Sequence, residues 1–299
     1  MRLAFLGRYL RNPFNPFLRT ARPGHFHSPI PDMKFIDRNQ ARLFDRSTQS
    51  IAGIENHLED QVALIQKLAD YCDELPFPDE ETAGFRYYFQ NDYFSYGDAI
   101  ALFGVLRHFR PQRIIEVGSG FSSALMLDVN DLFFQNKMAL TFIEPYPKRL
   151  FSLLNEEDKK RNEIITDIVQ NVPLERFEAL QPNDILFIDS SHVAKIGSDV
   201  VHLVTNVLPR LNDGVIVHFH DVFWPFEYPE KWIREGTAWN ENYMLKAFLQ
   251  FNERFKIIFF NNYLAIHHNN LLAKSIPSFM KNSGGSLWIQ KIHENRTGY

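Results

Sequence analysis

Arg113-Ile-Ile-Glu-Val-Gly-Ser-Gly-Phe-Ser-Ser123 is the stretch whose reading decides the fold. Ile114, Ile115 and Val117 make a short β-branched run suited to a strand buried on both faces. Gly118 and Gly120 allow a tight turn and a close backbone approach to a ligand. Ser122 and Ser123 are candidate helix caps ahead of the apolar pattern Ala124, Leu125, Leu127, Val129. Strand, glycine turn and helix start form the geometry of a nucleotide-type site in an open parallel sheet. An ordinary βα turn carries the same local signature, so the neighbouring segments must discriminate.

Downstream, strand-like runs fall at Ala139–Ile143, Glu163–Ile165, Ile185–Ile188 and Val215–Phe219. Helical patterns lie between them at Pro147–Leu154, Pro173–Leu180 and Ser198–Leu208. Apolar strands separated by helices imply an α/β fold with a parallel sheet and right-handed crossovers. A helix over Glu241–Phe251 precedes two further candidate strands, Lys256–Phe260 and Ser286–Ile292.

Upstream, Ser95 and Asp98 resemble a capping box ahead of a helix that buries Ile100, Leu102, Val105, Leu106 and Phe109. Between Ser47 and Leu75, apolar residues recur at helical spacing: Ile51, Ile54, Leu58, Ile65, Leu68, Cys72 and Leu75, interrupted by Gln61. This stripe predicts a helix packed on the sheet or on a partner subunit, which makes a homo-oligomer an expectation. Residues 1–31 hold Arg2, Arg8, Arg11, Arg19 and Arg22, several aromatics, five prolines and no acid. Such an arm suits an anionic membrane surface or a neighbouring subunit. The organisation expected is an arm over 1–46, a helical extension over 47–86 and one catalytic domain over 87–299.

Bulk composition narrows the class. Hydrophobic residues at 45% of 299 supply a sizeable core, and a net charge of −4 gives no reason to expect nucleic acid. Cys72 is the single cysteine, which excludes an internal disulfide framework and a cysteine-based zinc cluster. A reducing, cytoplasmic setting is expected. No apolar run approaches the roughly 20 residues that cross a bilayer.

Ligands of open α/β sheets sit beyond the carboxyl ends of the strands. Those ends carry Gly118-Ser-Gly120, Glu144, Asp167, Asp189-Ser-Ser-His192 and His218-Phe-His-Asp221. Glu144 stands where an acid accepts hydrogen bonds from ribose hydroxyls, and it is equally placed to cap the following helix. Asp189, His220 and Asp221 bring two carboxylates and an imidazole to adjacent strand ends. Carboxylates with water suit Mg²⁺, and the imidazole moves the balance toward Mn²⁺, Fe²⁺ or Zn²⁺. A His–Asp pair tying two loops together is the purely structural alternative. His192, three residues past Asp189, has the chemistry of a general base.

Glu116-Val-Gly-Ser-Gly-Phe-Ser-Ser123, Glu144, Ile188-Asp-Ser-Ser-His192 and His218-Phe-His-Asp-Val222 together resemble the class I S-adenosylmethionine-dependent methyltransferases. The likeness is to metal-assisted small-molecule or sugar O-methyltransferases and spans roughly residues 87–292. It implies a Rossmann-like, mostly parallel seven-stranded sheet with helices on both faces, an antiparallel last strand and an N-terminal helical extension. By the same resemblance, Glu116, Gly118, Ser119, Gly120, Ser122 and Ser123 hold the methionine part of the cofactor. Glu144 binds its ribose, Asp167 meets the adenine, and Asp189 serves both cofactor and metal. Asp189, His220 and Asp221 become the ligands of a divalent cation, Mg²⁺ or Mn²⁺. His192 stands where catechol-type members have a lysine base, as in sugar-modifying relatives, and His220 departs from the usual acid or amide.

The implied chemistry is methylation of a hydroxyl on a small-molecule or sugar acceptor, with the metal and His192 favouring the alkoxide. The aromatic loop Val222–Pro229 is a candidate lid or acceptor wall, or else a satellite hydrophobic cluster. Tyr93, Tyr96 and His25-Phe-His-Ser28 are further candidate wall residues. Three other readings stand beside this one. A nicotinamide-dependent oxidoreductase is disfavoured because Ser123 replaces the third glycine of the fingerprint. A metal-dependent hydrolase and a non-catalytic binding protein on the same fold complete the set.

Overall fold

The computed structural model describes residue 21 and residues 23–293. Its sheet comprises β1 Arg113–Val117, β2 Ala139–Ile143, β3 Glu163–Ile165, β4 Ile185–Ile188, β5 Ile216–Phe219, β6 Phe255–Phe260 and β7 Leu287–Lys291. The strand order is β3-β2-β1-β4-β5-β7-β6. Strands β1 to β5 pair in parallel, and β7 runs antiparallel to both β5 and β6. The Rossmann-like α/β sheet with an antiparallel last strand is therefore the fold of this chain.

Continuous apolar runs explain the central strands. Every residue of β4 and β5 is buried, because helices cover both faces of the sheet. The helices that matter for the site are α1 Met33–Leu43, α2 Leu58–Ala69, α3 Tyr96–Phe109, α4 Phe121–Phe133 and α5 Glu241–Leu249. No helix among the described residues is long and apolar enough to cross a membrane.

The long helix expected over Ser47–Leu75 is only the twelve residues of α2. Gly53 (φ 78°) and His57 (φ 47°) adopt left-handed backbone, which an α-helix excludes. Ile51 and Ile54 instead close a turn on each other, and Cys72–Glu74 form a separate 3₁₀ turn. Helical spacing persisted across those breaks because Ile54, Ile65 and Leu68 all enter the same core. Ile54, Ile65 and Leu68 of the stripe are buried within this chain, where α2 packs against α3 and β6. Residues 1–20 and 22 of the basic arm lie outside the described residues.

Two N-terminal features differ from expectation. No helix is apparent in the sequence at 33–43, yet α1 forms there, capped by Asp32, whose Oδ1 accepts from Lys34 N at 2.9 Å. It buries Ile36 in a small cluster with Phe223, Tyr228 and Ile233. At α3, Ser95 and Asp98 do not form a capping box. Ser95 Oγ donates to Phe89 O, while Asp98 turns inward and accepts from Asn261 Nδ2, Gly285 N and Ser286 Oγ. Nearly every side of α3 is covered, so its one carboxylate must gather donors inside the core. Burial pushes that carboxyl up to about 6, against its hydrogen bonds and the nearby His220.

Gln61 shows how the extension seals the sheet. Fully buried in α2, it accepts from Phe260 N of the edge strand β6 at 2.9 Å and donates to Asn56 O. An edge strand with unpaired N–H groups invites mispairing, and Gln61 satisfies one of them. Gln61→Ala leaves Phe260 N without that acceptor and is expected to cost about 1–3 kcal/mol. A urea titration read by circular dichroism checks this, with the midpoint falling and the slope unchanged.

Candidate active site

The strand order reverses between β1 and β4, and the crevice of a parallel sheet opens at that switch. The ladder continues just past both strands: Gly118 N donates to Ile143 O at 3.0 Å, and Asp189 N to Val117 O at 2.8 Å. Gly118 has φ 82°, and a Cβ built on it meets the carbonyl oxygen of Asp189 at 1.7 Å. Only glycine fits there. Gly120 is different: its backbone is extended, and an added Cβ meets only the flexible Arg149 side chain, at 3.2 Å.

Glu144, at the end of β2, does not cap the following helix Lys148–Leu153, which has no side-chain cap. Its Oε2 accepts from Ser119 N at 3.1 Å and its Oε1 from Tyr146 N at 2.7 Å, so it ties the glycine turn to the turn after β2. It also lines the cleft.

Glu116, Ser122 and Ser123 behave differently from expectation. Ser122 does not cap α4, whose N-cap is Gly120, whereas Ser123 at N3 caps it by accepting from Gly120 N. Their hydroxyls point back at Glu116, with Ser122 Oγ donating at 2.5 Å and Ser123 Oγ donating to the other carboxylate oxygen. Ser123 Oγ also accepts from Gly120 N at 3.0 Å. Glu116 and Ser123 are wholly buried and do not line the cleft. Both therefore brace the turn from beneath. Burial drives the Glu116 carboxyl up to about 8 despite the serine hydroxyls. Ser123 thus explains the missing third glycine: its hydroxyl is committed to a buried carboxyl that needs donors.

The second constellation comes together at the ends of β4 and β5. His192 Nε2 lies 3.3 Å from Asp189 Oδ1 and 3.7 Å from Asp221 Oδ2. Its Nδ1 is 2.9 Å from Glu241 Oε2, at the start of α5. Burial opposes a charge on this ring, but hydrogen bonds to Asp189 and Glu241 outweigh it and raise His192 well above 6.5. Asp189 is held below the usual carboxylate range: burial opposes this, and His220 and His192 overcome it. His220 Nε2 stands 3.6 Å from Asp221 Oδ1. Burial lowers its basicity, yet Asp221, Asp189 and Asp98 lift it to about 9. His192 (φ 58°) and Asp221 (φ 57°) both take left-handed backbone, sparsely populated for such residues and held here by the strand ends.

Asp189, His220 and Asp221, expected as metal ligands, gather with His192 at the strand ends but are not arranged as a metal site. Among the described residues, no three carboxylate, imidazole or thiol side chains converge as a bound ion needs. The His192 imidazole stands between the two carboxylates, with Nε2 3.3 Å from Asp189 Oδ1 and 3.7 Å from Asp221 Oδ2.

These residues border a cleft of about 640 Å³, within the usual range for small-molecule sites. Gly118, Ser119, Gly120, Ser122, Glu144, Asp189, His192, His220 and Asp221 all line it. Asp167 does not: it is exposed and caps its own turn, accepting from Ile168 N and Asn171 Nδ2. A larger groove of about 820 Å³ beside β6, lined in part by Gly53 and Phe251, is far from this chemistry. Tyr93 lines the cleft with Arg149 stacked over its ring at 3.6 Å. Tyr96 is buried against Asp79 instead, and the rings of His25, Phe26 and His27 stack on one another outside the cleft. The aromatic loop Val222–Pro229 is no lid, since Val222, Trp224, Phe226 and Tyr228 are core residues.

Sequence reasoning missed Arg149, Ser190, Trp232, Trp239 and Glu241. Glu241 carried one faint signal, its place in the first turn of a helix. For the rest, only tertiary contact reveals the role. Ser190 Oγ is buried with no hydrogen-bond partner among the described residues and lies in the cleft lining. With the glycine cradle and an acidic lining that includes Asp92, Glu144 and Glu235, it fits a cofactor bearing hydroxyl, amino and sulfonium groups.

A doubly wound sheet of this order, with a glycine turn after β1 and an acid after β2, is a Rossmann-like fold with a ligand crevice at its switch point. Residues 115–222 match a family model described as a methyltransferase domain. An uncharacterised protein of Archaeoglobus fulgidus is 36% identical over 164 residues, covering 54% of this chain and 74% of that one. Among solved structures, the chain is similar to the methyltransferase PaMTH1 of Podospora anserina bound to S-adenosylhomocysteine. That pair is 16% identical, covering 92% of this chain and 100% of the other, with a TM-score of 0.43. It is also similar to the O-methyltransferase TomG of Streptomyces achromogenes in complex with S-adenosylmethionine, at 14% identity, 87% and 96% coverage and a TM-score of 0.43. The chain therefore carries the methyltransferase domain of that family over residues 115–222, on a Rossmann-like sheet.

Gly118→Ala drives a methyl group into the Asp189 carbonyl, so the turn or β4 must shift. Affinity for S-adenosylhomocysteine is expected to fall by about tenfold or more, as about 1.4 kcal/mol of lost binding implies. Gly120→Ala displaces only Arg149 and is expected to bind far closer to wild type. Isothermal calorimetry on both variants separates these outcomes.

Proposed function

We propose that this methyltransferase modifies a hydroxyl group of a small-molecule acceptor, with His192 as general base. The observation that carries this reading is the buried contact of His192 Nδ1 with Glu241 Oε2, which turns Nε2 into the cleft between Asp189 and Asp221. A carboxylate on one ring nitrogen fixes the tautomer and leaves the other nitrogen to exchange a proton with substrate. Residues 87–299 are taken as the transferase unit, with 1–46 as arm and 47–86 as helical extension.

The cofactor, when bound, supplies a methyl group on a sulfonium, an electrophile that needs only an aligned nucleophile. Gly118, Ser119, Gly120, Ser122, Glu144, Asp189 and Ser190 are the residues placed to hold it, with Glu116 and Ser123 positioning the turn. Asp167 is not carried forward as its adenine contact. The chain's own task is at the acceptor oxygen. His192 Nε2 takes the hydroxyl proton, and Asp189, Asp221 and Glu241 stabilise the imidazolium that results. Neutral His192, oriented by Glu241, takes the proton, so deprotonation is assigned to the His192–Glu241 pair and not to a divalent ion.

The pH dependence follows from the sign of the His192 shift. Only the neutral ring accepts a proton, and the carboxylates raise its pKa, so activity is lost as pH falls through that raised value. The acid limb of kcat is expected to lie above pH 6.5. Glu241→Gln removes the Nδ1 carboxylate, lowers His192 and moves the limb to lower pH. His192→Ala is expected to reduce kcat by about 10²–10⁴ while leaving affinity for S-adenosylhomocysteine intact. An acid limb below pH 6.5, or an unshifted limb in Glu241→Gln, contradicts the assignment.

Enzyme dialysed against excess EDTA is expected to retain its kcat, with added Mg²⁺ or Mn²⁺ giving no gain. A rate that collapses under chelation and returns with either ion would place a metal at the carboxylates after all.

A further inference from the structure

The helix α1 packs one side against the domain and turns the other to solvent. Ile36 is its buried residue. On that side it grips the helix Glu230–Arg234 through Arg234–Asp37 at 2.9 Å and Gln40–Glu230 at 2.7 Å. Lys34, Arg38 and Arg42 recur at steps of four, so they form one row along the axis. Ile36 stands two residues from both Lys34 and Arg38, which is about 200° around the helix. Anchoring α1 through Ile36 therefore aims a row of cations outward, and all three are exposed.

These charges serve no ion pair of the fold. Arg38 Nε donates to Lys34 O at 3.0 Å and Arg42 to Asn39 Oδ1 at 3.2 Å, both neutral contacts within the helix. The two acids of the segment are engaged elsewhere: Asp32 caps α1, and Asp37 pairs with Arg234. Apolar side chains stand exposed at the same end. Met33 and Phe35, on either side of Lys34, are 38% and 45% exposed. Phe26 is 84% exposed on a loop that folds back beside Asp32, with Gly24 N donating to Ile30 O at 3.1 Å. The same sign of charge continues along the chain, since residues 1–31 hold five arginines and no acid.

Cations and exposed apolar side chains on one helix face limit what covers it. A second copy of this chain would set one basic row against another. The phosphates of a nucleic acid accept the cations but leave Met33 without an apolar partner. An anionic bilayer supplies both together, headgroups for the cations and the acyl boundary for Met33, Phe35 and Phe26. We infer that the outer face of α1, with the Phe26 loop beside it, is a docking surface for an anionic lipid bilayer. Docking there leaves the cofactor cradle untouched, because α1 contributes no residue to the cleft.

The test is co-sedimentation of the full chain with vesicles of equal parts phosphatidylcholine and phosphatidylglycerol, against vesicles of phosphatidylcholine alone. The chain is expected to sediment with the anionic vesicles only, and less so as salt rises. Replacing Lys34, Arg38 and Arg42 together by Gln is expected to weaken partition by about a hundredfold, at about fivefold per cation. Phe35→Ala is expected to weaken it by about tenfold with the salt dependence unchanged. The charge-keeping variant Lys34→Arg/Arg38→Lys/Arg42→Lys partitions as wild type, which separates loss of charge from loss of fold. All variants are expected to keep their affinity for S-adenosylhomocysteine. Equal binding to both vesicles, binding to neither, or unchanged partition of the glutamine variant overturns the proposal. So does retention of an RNA oligonucleotide that anionic vesicles fail to displace.

Discussion

The site depends on one close approach, where the backbone of Gly118 lies against the carbonyl of Asp189. Two parallel strands that leave the sheet on opposite sides must separate there, and a side chain on Gly118 has no room. Because β1 turns this tightly, the amide of Ser119 points at Glu144 and α4 begins over the buried Glu116. The same approach brings Asp189 to the edge of the cleft, three residues ahead of His192. Cofactor side and acceptor side are thus fixed by one contact, and they cannot be tuned separately at this point.

Buried charge is crowded at the ends of two neighbouring strands. Two imidazoles and two carboxylates crowd the ends of β4 and β5, and each imidazole is lifted by the carboxylates beside it. Glu241 adds a further acid from α5, and Asp98 a more distant one from α3. An unpaired charge in such a place is strongly unfavourable, so the groups hold one another in place. His192 and Asp221 also sit in left-handed backbone, strain that clusters where geometry serves chemistry.

The N-terminal segments act on the site from a distance. α2 seals the β6 edge through Gln61, and Arg86 joins the end of the extension to Asp128 and Asp158 at 2.7 Å each. α1 reaches further and backs the wall that carries Trp232. α1 is therefore a structural part of the wall beside His192, while the packing of α2 is continuous with the core of the sheet.

The sequence by itself determined the fold. Short apolar runs alternating with helical patterns state their periodicity locally, and the glycine turn after Val117 marks the crevice, because strand propensity and φ freedom are properties of neighbouring residues. Gly118, Glu144, Asp189, His192, His220 and Asp221 were legible as cleft residues because topology alone puts strand ends together. The tertiary structure decided what each one does. Glu116 and Ser123 proved to be buried braces, Asp167 faced solvent, and the aromatic loop after Asp221 joined the core, since burial depends on which partner covers a segment. Glu241, 49 residues from His192, and the cleft-lining Trp232 and Trp239 became visible only once α5 and the 230–239 segment folded across the end of β4. Ion pairs and ring stacking act through space, and no spacing along the chain encodes them.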